Sequence, residues 1–201
     1  MNMPEPTRCP WVNLNNPIYV KYHDEEWSVP CHDDCALYEL LILECFQAGL
    51  SWECVLNKRE NFRRAYDGFD AVKTAAYGEE KISALLSDPS LIRNRRKVLA
   101  SIRNSAVFLD IQAEYGSFDR YIWSFTGGAP VREDCTIRTS SPLSDAVSKD
   151  LKKRGMSFVG TTIIYSYLQA IGVLAAHTED CFCRKGSACP AARPKERSKM
   201  P

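Results

Sequence analysis

The chain has 201 residues, 45% of them hydrophobic and 25% charged, which fits one globular domain and excludes an extended, charge-dominated chain. Its net charge of +1 provides no global field, so any site for an anion must be a local patch. The apolar runs, such as Leu40–Leu43, are far too short to span a bilayer, so no membrane role is expected.

Residues 1–32, punctuated by Pro4, Pro6, Pro10, Pro17 and Pro30 and rich in aromatics, read as irregular. A helix is expected from Asp33 or Asp34 to Ala48, with Gly49 at its left-handed end. Ser51 caps a second helix that reaches about Tyr66. Asp70–Tyr77 and Glu79–Leu86 read as two short helices broken at Gly78. From Asn94, Val98, Ile102, Ala106 and Leu109 recur every three or four residues, which predicts a long amphipathic helix ended by Gly116. Phe118–Phe125 is a further short helix, followed by a Gly127-Gly128 loop. Ser141-Pro142 gives a cap with proline at the first helical position, and that helix runs to Arg154, stopped by Gly155. Thr161 opens the last helix, with Ile164, Tyr167, Leu168 and Ile171 on one face, ended by Gly172. No alternating strand pattern is found, so the fold class is all-α. From Arg184 onward the chain is basic and poor in apolar residues, and a disordered tail over 184–201 is expected.

Nine cysteines is an odd number, and Met1–Pro6 lacks an export signal, so a reducing, cytoplasmic compartment is expected, with thiols as core residues or metal ligands. Cys9 and His23, with His177-x3-Cys181, would supply the two thiolates and two imidazoles of a closed zinc site. Cys31, His32 and Cys35, with Cys183 and Cys189, form a rival set, and the spacing leaves both open, as it does a reading without metal. Trp11, Tyr19, Tyr22, Trp27 and Trp52 gather in the first third of the chain with Glu44, a carboxylate inside an apolar helix. Aromatics around a carboxylate suit a flat, cationic or amine-bearing ligand, although aromatic core with a helix-edge glutamate gives the same pattern. Gly155 to Thr162 is a glycine-containing turn between two helices, a natural phosphate site if backbone amides are open there. Lys149, Lys152, Lys153 and Arg154 precede it, and Arg93, Arg95, Arg96 and Lys97 lie on another helix; each cluster also reads as a solvated face.

Taken together, Arg8-Cys-Pro-Trp11, Tyr22-His-Asp-Glu-Glu-Trp27, Leu43-Glu-Cys-Phe-Gln-Ala-Gly-Leu-Ser-Trp52, Lys58-Arg-Glu-Asn61 and Lys152-Lys-Arg-Gly155 with Phe158-Val-Gly-Thr-Thr162 resemble the 3-methyladenine DNA glycosylase I family. The likeness runs in order from about Arg8 to Cys181. It implies a helix-hairpin-helix DNA glycosylase-like bundle over residues 8–183, with a structural zinc joining the N- and C-terminal segments through Cys9, His23, His177 and Cys181. It implies excision of 3-methyladenine from alkylated double-stranded DNA, with the base bound by Trp11, Tyr19, Tyr22, Glu44 and Trp52, and Glu44 as the residue of chemical interest. Phe158, Val159 and Gly160 would grip a phosphate with Lys153 or Arg154 nearby, and Leu50 would be the wedge that fills the gap left by the flipped nucleotide. The hairpin has no lysine, so no strand-cleaving step is expected, and Gly172–His177 has no carboxylate of the kind that assists departure of the base in related glycosylases. A monomer is expected. Cys45 and Ser28 stand where the family resembled has glycine. A non-catalytic binder of damaged DNA, or a zinc-stabilised interaction module, are the other classes such residues could serve.

Overall fold

The computed structural model describes residues 5–133 and 138–185. Eleven helices appear among them: α1 Pro17–Glu25, α2 Asp34–Gln47, α3 Trp52–Leu56, α4 Arg59–Ala65, α5 Ala71–Ala75, α6 Glu79–Ser87, α7 Arg95–Tyr115, α8 Phe118–Ser124, α9 Pro142–Lys153, α10 Thr161–Ala170 and α11 Phe182–Lys185. Two strands of two residues, β1 Val131–Arg132 and β2 Leu174–Ala175, pair in parallel, a small departure from the expected all-α chain. None of the described helices is long and apolar enough to cross a membrane.

α2 is the axis of the molecule. Asp33 caps it by accepting from the Ala36 N–H, and every residue from Leu37 to Phe46 is buried. A helix apolar on all sides must be wrapped on all sides. Here α3, α7, α8 and α10 pack around it. α10 meets α2 through the expected face, since Ile164, Tyr167, Leu168 and Ile171 are all fully buried.

Local chemistry sets the other boundaries. Asn94 caps α7 through the Lys97 N–H, and Gly116 ends it at a left-handed φ of 85°. Ser141 and Ser144 form a reciprocal capping box at the start of α9. α1 corrects the expectation of an irregular N-terminal segment. Asn16 caps it by accepting from Ile18 and Tyr19, and Pro17 takes its first position. The helix expected from Ser51 to Tyr66 is two helices, interrupted at Asn57–Lys58. Arg184 and Lys185 belong to α11, and the rest of the expected tail lies outside the described residues.

The N-terminal segment is bound to the far end of the chain. The Ser28 and Cys31 N–H groups donate to Gln169 and Ile171 carbonyls at 3.0 Å each. Gly172 permits this contact. A side chain there would meet the backbone of Val29 and Pro30 at 2.4 Å. Ser28, expected as glycine from the family resemblance, has a left-handed φ of 65°, which is uphill for a residue with a side chain. Its hydroxyl offsets that strain, donating to the Leu174 carbonyl at 3.1 Å and accepting from the Ala176 N–H at 2.8 Å.

Candidate functional site

Glu44 lies in the last two turns of α2, where the wrapping helices leave a cavity of about 150 Å³. Trp11, Tyr19, Tyr22, Trp27, Gln47, Trp52, Ser166 and Gln169 complete its walls. All five expected base-pocket residues therefore meet in one place. Trp27 was noticed with the aromatics but not assigned to the pocket. Gln47 stands in the Leu43–Trp52 string that carries the family resemblance but has no role assigned there, and Ser166 and Gln169 carry no sequence signal beyond polarity on an apolar helix.

Glu44 is 3% exposed, and its Oε2 has no hydrogen-bond partner among the described residues. Trp52 Nε1 is unpartnered in the same way. Burial pushes the Glu44 carboxyl up to about 8, because the ionised form is deprived of water with no cation to replace it. Trp52 and Tyr22 form one wall with ring centroids 5.4 Å apart. Trp11 forms another, edge-on to Trp27 at 4.7 Å and to Tyr19 at 5.3 Å. The cavity is thus flat-walled, with an acid and an indole N–H awaiting partners. A planar ligand carrying both a donor and an acceptor, or a positive charge, satisfies it.

Leu50 lies in the turn between α2 and α3, between the cavity residues Gln47 and Trp52 in the chain. It is 38% exposed, and Gly49 before it has φ 77°. Gln47 closes the turn, its carbonyl accepting from the Leu50 N–H at 2.7 Å and its side-chain amide donating to the Leu50 carbonyl at 3.0 Å. One residue therefore lines the cavity and fixes the exposed leucine.

A second, larger hollow of about 580 Å³ lies between α7 and the α9–α10 turn, lined by Arg96, Leu99, Ala100, Arg103, Lys152 and the residues from Met156 to Gly160. Phe158 has φ 58°, an uncommon conformation for a residue with a side chain. Ser148 holds this turn by donating to the Val159 carbonyl at 2.7 Å. Arg154 differs from the sequence-based expectation. It is bound to Asp150 at 2.6 Å and Glu114 at 2.5 Å and lies over Tyr115 and Tyr121. Lys153 is exposed, and Lys152 rather than Lys153 lines the hollow.

Cys9, His23, His177 and Cys181 converge, with all four ligand atoms within 4.8 Å of one another. Three sulfur–nitrogen separations are 3.5 Å: Cys9 to His177, Cys181 to His177 and Cys181 to His23. A sulfur and a nitrogen sharing one tetrahedral zinc stand about 3.5 Å apart, given metal–ligand bonds of roughly 2.0–2.3 Å. The outer contacts also suit a metal. His23 Nδ1 donates to Asp24 at 2.7 Å, which leaves Nε2 unprotonated, with the Cys9 N–H 3.4 Å from it, and Arg8 holds Asp24 in turn. His177 Nε2 donates to the Trp27 carbonyl at 3.2 Å, which leaves Nδ1 bare. The rival set does not assemble. His32 pairs with Asp119 and stacks on Trp123, and the Cys31 thiol points to the Asp33 carbonyl. Cys189 lies outside the described residues.

A flat-walled cavity holding an unpartnered acid, with an exposed leucine in the turn between α2 and α3 and a basic hollow at the α9–α10 turn, has the features that suit a planar base-like group. Comparison with known proteins narrows this. The chain belongs to the methyladenine glycosylase family, whose model matches residues 11–184. It is 45% identical over 184 residues to DNA-3-methyladenine glycosylase 1 of Escherichia coli K12, covering 90% of this chain and 98% of that protein. A crystal structure of a 3-methyladenine DNA glycosylase I superposes with a TM-score of 0.84 at 45% identity, over 88% of this chain and 99% of that one. The Staphylococcus aureus enzyme, solved for its recognition of 3-methyladenine, gives 0.81 at 34% identity, over 84% and 92%.

Proposed function

We propose that this protein is a DNA-3-methyladenine glycosylase of base excision repair, hydrolysing the N-glycosidic bond of 3-methyladenine in alkylated duplex DNA. The observation that carries the reading is the buried, unpartnered Glu44 carboxyl in an aromatic cavity of base size. Membership of the family and 45% identity to a curated enzyme of this activity support it.

The glycosidic bond is inaccessible inside a duplex, so the nucleotide must first leave the stack. Leu50 fills the gap from its turn, while the Phe158-Val159-Gly160 turn holds a neighbouring phosphate, aided by Lys152 and Lys153. The extruded base stacks on Trp52, and Tyr22 meets a ring edge. Methylation at N3 gives the purine a formal positive charge, so the base departs neutral and needs no acid. Burial keeps Glu44 protonated near neutral pH in the empty cavity; it gives up that proton to solvent as the cation enters and then faces the cation in a site with little water to screen the charge. It accepts a hydrogen bond from the exocyclic amine. As the bond to the base breaks, positive charge passes to the sugar, water adds at its anomeric carbon and releases a proton to solvent, and an abasic site remains. No lysine stands in the turn to form a Schiff base, so the strand stays intact.

Residues 8–183 form the domain that does this, as a monomer. Cys9, His23, His177 and Cys181 would hold one zinc, whose four positions are then filled, so the ion supplies a crosslink and no open site for chemistry. Arg8-to-Trp11 is thereby fixed to the end of the chain, and Trp11 is a wall of the base cavity.

The test is chromatography of bases released from methylated duplex DNA. Release of 3-methyladenine without strand cleavage is expected. Binding without release would leave a damage-binding protein in its place.

A further inference from the structure

α7 contributes two buried polar side chains that end on backbone, one at each of the two turns just described. Lys97 is 7% exposed, and its Nζ donates to the Phe46 and Ala48 carbonyls at 2.7 Å each. These belong to the last turn of α2, immediately before Gly49 and Leu50. No carboxylate lies within ion-pair distance of Lys97 among the described residues, so the partial negative charge of the helix end balances the ammonium. Asn104 is fully buried. Its Oδ1 accepts from the Ser157 N–H and its Nδ2 donates to the Ser157 carbonyl, both at 2.9 Å. Ser157 leads directly into Phe158, Val159 and Gly160. Asn104 Nδ2 also reaches Cys45 Sγ at 3.4 Å, beside Glu44.

Lys97 and Asn104 are seven residues apart, two turns of one helix, which places them about 10 Å apart on the same face. At each turn the two bonds are made to backbone, so they fix where the turn sits, whatever its residues.

We propose that α7 is the spacer that sets the distance between the Leu50 turn and the Phe158 turn, with Lys97 and Asn104 as positioning residues for DNA engagement. The proposal rests on the glycosylase reading. An exposed leucine can enter a duplex at the right step only if the phosphate held by the second turn lies at a fixed offset from it. A misplacement of about 1 Å between such groups costs on the order of a hundredfold in rate. Neither residue lines the base cavity, so occupancy of that cavity by free base does not depend on the spacing.

The test uses the full-length protein with Lys97→Met, Asn104→Ala and the double variant. Three quantities are read: binding of free 3-methyladenine by tryptophan fluorescence, binding of duplex DNA containing an abasic site, and single-turnover base release. The expected result is free-base affinity within about twofold of the parent, with DNA affinity and release lowered at least about tenfold in each single variant. The double variant should be no worse than the poorer single variant, because both act through one distance. Asn104→Asp, which keeps the acceptor for the Ser157 N–H, should recover part of the loss. Parent-like DNA binding in folded variants would overturn the proposal, as would parallel loss of free-base binding or simple additivity. Failure of both Asn104 variants to fold would make that residue structural and overturn it too. If the parent itself released no base, the glycosylase reading would fail instead.

Discussion

Glu44 and Trp52 line the same cavity, and their Oε2 and Nε1 are the two buried side-chain nitrogen or oxygen atoms without a hydrogen-bond partner among the described residues. One comes from α2 and the other from the start of α3, with the Leu50 turn between them. Leaving a buried polar atom unpaired costs about 1–3 kcal/mol. Two such atoms at one site are a cost that a ligand removes.

Glu44→Gln should lose activity only in part. A hydrogen bond to a charged group is worth roughly 1.5–3 kcal/mol, so single-turnover release should fall about 10- to 200-fold. Trp52→Ala should fall further, since it removes the stacking face, worth about 1–3 kcal/mol, and opens the wall. A loss for Glu44→Gln well beyond about a thousandfold, with parent-like binding of free base, would assign Glu44 as a general base acting on water.

The same carboxyl makes stability depend on pH. In the unfolded chain it ionises near 4.5, and in the folded protein near 8. Between those values the folded state holds a proton the unfolded state has lost, so stability falls as pH rises. The slope approaches about 1.4 kcal/mol per pH unit for a single group. Glu44→Gln abolishes this contribution. Its Tm relative to the parent should therefore climb from pH 4.5 to pH 8 and then level off. A constant difference across that range would contradict the burial of the acid.

One zinc per chain is expected by metal analysis of freshly purified protein, and Cys181→Ser should lower both zinc content and Tm. Asp24→Asn is the finer probe. It keeps all four ligands but weakens the partner of His23 Nδ1, and such outer contacts are worth about 10- to 100-fold in metal affinity. Competition with a chelator measures it, and an unchanged affinity would leave Asp24 as a partner of Arg8 alone.

Leu50→Ala should retain free-base binding while losing base release from duplex DNA, because the wedge acts before the pocket does. Lys152→Ala should weaken DNA binding equally for all sequences and flatten the dependence of log K on log salt by about one unit. Processing of methylated duplex by Leu50→Ala at the parent's rate would remove the wedge role.

Much of the fold was legible where caps and glycines are local signals: Asp33 for α2, Asn94 and Gly116 for α7, Ser141-Pro142 for α9. α1 was missed although Asn16-Pro17 is such a signal. Prolines crowd its surroundings, and only Tyr22 and His23 are buried along it, so apolar periodicity is absent. The break between α3 and α4 has neither glycine nor proline, and paired strands of two residues are too short to alternate. At the site, Glu44 was conspicuous as a carboxylate in an apolar run. Ser166 and Gln169 were not, because polar residues spaced on an apolar helix look like its solvent face. The four metal-ligand candidates were visible by type. Choosing them over Cys31, His32 and Cys35 needed the family resemblance, since spacing alone carries no information about which chain ends meet.

The close seating of residues 28–31 on the end of α10, permitted at Gly172, also sets the order in which the site comes into being. Glu44 and Trp52 leave the ribosome early. Ser166, Gln169 and the platform beneath Ser28 and Cys31 follow only after most of the chain has been made. Until then Trp11 and Trp27 have each other, Tyr19 and His23 to pack against, but not the part of the lining that α10 supplies. A product of premature termination before Gly160 would carry the acid and the stacking indole, yet no enclosed cavity. A chain that stops short of Gln169 therefore lacks part of the cavity's lining, whatever else of it has folded.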